Sequence, residues 1–192
     1  MWHPFQFIPA GWRRRALLIA LFAATFFIGS KTNVDLRPFR IVSLEFAGTV
    51  EAAKSVIASW SAEDEKMNAA AGTMLGQARL LQWWDAFFLV AYSMTLALAC
   101  VMTAEWLYQR ESWAHAQGIL LAWLMWLAGL LDFFENSAIN RILNSAIAQA
   151  AIESRWPQQA LLCAAGKFSL IAVGIWYLLS GLITASLRRH YK

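Results

Sequence analysis

Charge is scarce in this sequence, and so are the residues that carry most metal, redox and phosphate chemistry. Only 15% of its 192 side chains are charged, against about 25% in ordinary soluble domains, which excludes a typical soluble fold. There are two cysteines, Cys100 and Cys163. They sit at different depths of apolar stretches, so a disulfide between them is not expected and both read as packing groups. The three histidines, His3, His115 and His190, all fall outside the apolar runs, which argues against haem or a histidine-bound metal within them. No CxxC, GxSxG, HExxH or glycine-rich phosphate loop occurs. No cofactor or metal is expected, and nothing points to nucleic acid.

What is abundant is apolar length. Hydrophobic residues make up 59% of the chain and mean hydropathy is +0.46. They gather in four runs, 16–29, 86–104, 118–131 and 160–187, each reaching the ~20 residues needed to cross a bilayer once its flanks are counted. The expected spans are 14–30, 84–107, 117–137 and 160–187. Arg13, Arg14 and Arg15 precede the first, and Arg188, Arg189 and Lys192 follow the last. Clustered Lys and Arg mark the cytoplasmic side, so both termini are expected there, in a bacterial inner membrane. The run "FFIGSK" lacks a small-residue cleavage pattern, and the first span reads as an uncleaved anchor. Trp12, Trp106 and Trp113 mark the inner boundary, and Trp83, Trp84 and Trp156 the outer one.

Residues 31–82 form the one sizeable extramembrane segment, expected as a helical extracytoplasmic cap inserted in a single membrane domain, 1–192. It carries six basic and six acidic residues and so presents no charge barrier to export. An extended "KTNVDLRPFR" leads into "IVSLEFAG". Thr49 is the expected N-cap of a helix whose Val50, Ala53, Ile57 and Trp60 share a face, predicted to lie on the outer membrane surface. Ser61 and Asp64 read as a capping box opening a further helix that runs into the second span, with a break near Gly72 or Gly76. "SAINRILNSAIAQAAIES" is expected to continue the third span as helix up to Pro157. The leading "MWHPFQFIPAGW" reads as an inner-surface anchor.

The few membrane-embedded charges coincide in depth. Asp132 lies 14 residues beyond Gly118, roughly 21 Å along a helix, which puts it and Glu135 in the outer third of the hydrocarbon. Asp85 begins the second span at the same level, and Lys167 is the lone charge of the fourth. Glu45, in an apolar segment on the same side, can reach them. Small residues in line with Lys167 (Ala164, Gly174, Gly181, Ala185) and with Asp132 and Asn136 (Ala122, Gly129) mark faces where membrane helices pack. Tyr92 shares a face with Asp85, and Asn140 lies one turn beyond Asn136. Asp132 and Glu135 are therefore expected to meet Lys167 and Asp85 inside the bundle. A purely structural reading has these charges lock helices together or reach headgroup water. Against it, four carboxylates face one lysine, and an uncompensated buried carboxylate recruits a cation, takes a proton or lines a wet pocket. A hard cation such as Ca²⁺ or Mg²⁺ is one alternative.

The blocks "LEFAG", "WWDAFFLVAYS" and "LLDFFENSAI", with a lysine late in the chain, resemble a group of bacterial four-helix integral membrane proteins with no known activity. In that group an LE-A block precedes an Asp at the head of span two, a D-x-x-E-N in span three and a Lys in span four. The resemblance covers residues 41–175 and implies a shared site at Glu45, Asp85, Asp132, Glu135, Asn136 and Lys167. "D-x-x-E-N" is also similar to the "N-D-x-E-N" of four-helix membrane glutathione transferases. Here the spacing is one longer and the preceding arginine and histidine are absent, so that activity does not carry over.

The expected fold is thus all-α, a polytopic four-helix transmembrane bundle with a helical cap between spans one and two. The expected function is binding or movement of a small ligand, cation or lipid headgroup at a cluster of Glu45, Asp85, Tyr92, Asp132, Glu135, Asn136, Asn140 and Lys167. Two alternatives stay open. One is an intramembrane enzyme using a carboxylate as general acid or base on an amphiphilic substrate. The other is a non-catalytic subunit whose charges pair with a membrane partner or with a second copy of the chain.

Overall fold

Apolar runs of this length close their backbone hydrogen bonds within one segment, because lipid offers no partners. The computed structural model describes residues 2–32, 36, 38–66, 73–107 and 112–190, and every regular element among them is helical. A 3-10 turn at Pro4–Phe7 precedes α1 (Trp12–Thr32), α2 (Ile41–Glu45), α3 (Val50–Lys66), α4 (Met74–Leu107), α5 (Trp113–Ile147) and α6 (Arg155–His190). Four of these, α1, α4, α5 and α6, are long and apolar enough to span a membrane. Their outward side chains fit that solvent: Phe22, Phe26, Leu162, Trp176 and Leu182 are all more than 60% exposed.

The helices outrun the apolar runs, and local chemistry explains where they stop. α4 begins at Met74, ten residues before the expected start of the span. Both carboxylate oxygens of Asp64 accept the Met74 N–H at 2.9 Å, and the Thr73 hydroxyl accepts the Gly76 N–H at 3.1 Å. Gly76 therefore sits in the first turn of α4 and does not break it; Gly72 lies outside the described residues. Asp64 is not part of a capping box with Ser61, because α3 runs unbroken through both. The Ser61 hydroxyl donates back to Ile57 O at 3.2 Å. Thr49 caps α3 as its composition suggests, accepting from the Ala52 N–H at 3.2 Å. α5 ends at Ile147, short of Pro157, and Gln149 adopts a left-handed φ of 52° in the turn that follows. Of the stretch expected to be extended, Lys31 and Thr32 complete α1, while 33–35 and 37 lie outside the described residues, as does Lys192.

The chain divides into two compact units. One comprises Met1–Phe26, Val90–Leu130 and Lys167–Lys192. Leu98, Val101, Ile119, Met125 and Tyr177 form its core. Small residues set its helix spacing: a Cβ on Gly174 would lie 2.8 Å from Met125 Cε, and one on Gly118 would lie 2.7 Å from Ala104 Cβ and 2.2 Å from the Tyr177 hydroxyl. That hydroxyl donates to Ala114 O at 3.2 Å. Gly118→Val is accordingly expected to lower stability by about 1–3 kcal/mol through overpacking, measured by thermal unfolding in detergent. An unchanged midpoint would contradict this packing.

The second unit comprises Phe27–Leu89 and Leu131–Gly166. Its core joins Leu44 of α2, Ala53 and Trp60 of α3, Met74 and Ala78 of α4 and Ile139, Ile142 and Leu143 of α5. Here the α3 face departs from expectation. Ala53 and Trp60 are wholly buried in protein, and the Trp60 indole N–H donates to Phe39 O at 2.7 Å. A buried indole N–H usually finds an acceptor, and the turn before α2 supplies one here. Gly48, at φ +66°, allows the chain to reverse between α2 and α3. A Cβ there would lie 2.9 Å from Leu161.

Candidate functional site

The second unit collects most of the residues that the sequence singled out. Glu45 ends α2 and is buried, 7% exposed. On α5, Asp132, Glu135 and Asn136 are 3%, 0% and 6% exposed. Their i, i+3 and i, i+4 spacing sets all three on one helix face. Asp85 of α4 is half-buried, and Asn136 Nδ2 donates to Asp85 Oδ2 at 2.6 Å. This contact joins α4 to α5, 11 residues after Met74 and 11 before Ile147. The short, charge-assisted bond holds the Asp85 carboxylate in a fixed orientation. Asn140, one turn further along α5, is half-buried.

Two predicted members lie in the other unit. Lys167 is buried, with Nζ 5.0 Å from the centroid of the Phe168 ring, and Tyr92 is buried as well. Within the second unit, every basic side chain described is exposed: Lys31, Arg40, Lys54, Arg79, Arg141 and Arg155. Arg141 and Arg155 face the Trp156 ring at 5.3 and 4.2 Å, and Arg155 pairs with Glu153 at 2.7 Å. Gln82, which sequence reasoning passed over, is one turn before Asp85 on α4. It is 3% exposed, and its Oε1 has no hydrogen-bond partner. Buried side-chain acceptors in native proteins are seldom left this way. Among the described residues no three His, Cys, Asp or Glu side chains are arranged to hold a metal ion.

A second polar centre, at the start of α1, was not anticipated. The leading segment, expected as an inner-surface anchor, buries His3 and Phe5 in the first unit. His3 is wholly buried and caps the 3-10 turn. Its Nδ1 accepts the Phe5 N–H at 3.3 Å, so the neutral ring carries its proton on Nε2. The ring packs edge-on against Trp123 and Trp126, with centroids at 4.9 and 4.6 Å. The Gln6 side chain accepts from the His3 N–H at 2.8 Å and donates to Glu105 Oε1 at 3.2 Å. Glu105 in turn forms an ion pair with Arg14, whose Nε and Nη2 donate to Ile8 O and Gln6 O at 2.6 and 3.0 Å. Arg14 is the sole buried residue of α1. His115 Nδ1 donates to Ala104 O at 3.2 Å nearby, and a cavity of about 760 Å³ is lined by His3, Gln6, Arg14, Glu105 and His115. The one available signal was Glu105, the lone acid of the "VMTAEWL" exit. It was masked by Trp106, which makes the site read as ordinary interface.

Burial pushes the His3 imidazole down from 6.5 to about 4. The docked segment therefore binds fewer protons than a detached one, whose His3 titrates near its ordinary value. Docking is strongest above pH 6.5 and weakens as pH falls towards 4. Protection factors at residues 2–10, which remove the intrinsic pH dependence of amide exchange, should fall across that window in the wild type and stay flat in His3→Gln. Equal profiles would contradict the assignment.

Comparison with protein-family models, with curated proteins and with solved structures yields no match for this chain.

Proposed function

We propose that this chain is a multi-pass membrane protein that binds a small cationic group, an organic ammonium or an ammonium-bearing lipid headgroup, among Glu45, Asp85, Asp132 and Glu135. The observation that carries this reading is the gathering of acid in the second unit: Glu45, Asp132 and Glu135 are buried there and Asp85 is half-buried. Acidic and amide side chains held out of water are the chemistry that recognises an ammonium group. Gln82 Oε1 adds a buried acceptor next to Asp85, which suits the several N–H donors of an ammonium. Asn136 supports the reading by orienting Asp85. In this proposal the site belongs to the outer leaflet of a bacterial inner membrane, and both termini are cytoplasmic.

A ligand that binds only the folded state stabilises it by about 2.7 kcal/mol at a hundred times its Kd. Choline, ethanolamine and putrescine are therefore tested in thermal unfolding against acetate and glycerol phosphate as anionic controls. At least one amine should raise the midpoint of the wild type and leave Asp132→Asn/Glu135→Gln unmoved. A midpoint insensitive to every amine, or one raised equally in the variant, would sink the proposal.

A further inference from the structure

The first unit carries a groove of different character, of about 570 Å³, between the start of α1 and the end of α4. Its lining changes in polarity along its length. Gly11, Arg15 and Trp106 stand at the terminal end, while Leu18, Ala99 and Met102 line the deeper part. Trp106 to Ala99 is seven residues, so the groove runs roughly 10 Å along the helices. This matches the width of a headgroup zone followed by the first methylenes of an acyl chain. Gly11 adopts a φ of +114°, and a side chain there would meet nothing within 4 Å, which leaves the mouth open.

The charge of the mouth is decided by the ion pair in its wall. Glu105 is neutralised by Arg14, whose guanidinium also donates to the Ile8 and Gln6 carbonyls. The exposed Arg15 guanidinium makes no ion pair among the described residues and is left as the net charge of the lining. Trp106, 63% exposed, supplies the amphipathic ring typical of a headgroup boundary. A positive, donor-rich rim above an apolar channel complements one occupant of the surrounding solvent. We infer that this groove is a binding site for an anionic phospholipid, its phosphate at Arg15 and the start of one acyl chain along Leu18, Ala99 and Met102.

The test is native mass spectrometry of the full chain in detergent, titrated with phosphatidylglycerol and with phosphatidylcholine of identical acyl chains. The wild type should retain the anionic lipid about fivefold more, the discrimination expected of one basic side chain near a phosphate. Arg15→Gln should bind both lipids equally. Ala99→Leu, which fills the apolar channel, should lose both, with unchanged thermal unfolding as the check on folding. Should that variant fail to fold, Arg15→Gln alone decides. Millimolar glycerol phosphate should not displace the lipid, because it lacks the chain. Equal retention of the two lipids by the wild type, a preference that survives Arg15→Gln, retention by folded Ala99→Leu, or displacement by glycerol phosphate would each overturn the lipid site.

Discussion

Replacing Arg14 with methionine is expected to destabilise the protein by about 3–5 kcal/mol, the usual cost of removing one partner from a buried ion pair. The loss has two parts. Glu105 keeps its charge in a largely buried place, and the carbonyls of Ile8 and Gln6 lose their donors. Since Arg14 is the sole buried residue of α1, the damage should be local. Protease sensitivity of the α1 start should rise well before the rest of the chain unfolds. Arg14→Met combined with Glu105→Met removes the stranded charge and should recover part of the stability. Full recovery is not expected, because each unsatisfied carbonyl still costs about 1–3 kcal/mol. Equal protease sensitivity in wild type and Arg14→Met would show that α1 is held by something other than this latch.

The second large effect is on the response to ligand. Glu45→Gln/Asp132→Asn/Glu135→Gln should abolish the stabilisation that an amine gives the wild type, about 2.7 kcal/mol at a hundred times its Kd. A loss of several kcal/mol in the ligand-free triple variant would instead identify the carboxylates as helix-pairing groups.

The four long helices were legible because lipid imposes a length and a composition on them, and both are visible in runs such as 86–104. Their ends were not. Met74, Ile147 and Arg155 are fixed by single hydrogen-bond caps and turns, such as Asp64 on the Met74 N–H, at positions where no change in hydropathy marks them. Stripes of small residues pointed Asp132, Asn136 and Lys167 inward, and all three are buried. The Asp85–Asn136 hydrogen bond was not foreseen, because depth counting pairs Asp85 with Asp132 and Glu135 and does not resolve which side chain meets which. What depth counting could not supply was the latch. Arg14 and Glu105 are separated by 91 residues, and Arg14 is disguised within a run of three arginines. The α3 face was misplaced because an apolar stripe looks the same whether lipid or protein covers it. The buried Trp60, donating to Phe39 O, shows that protein does.

The claim that the carboxylates of the second unit hold a cation is tested most directly by native mass spectrometry of the protein as extracted, compared with Asp132→Asn/Glu135→Gln prepared identically. The account predicts a discrete mass on the wild type, released as a positively charged small molecule or ammonium-bearing lipid and missing from the variant. Identical bound masses on wild type and variant, or none on either, would contradict it.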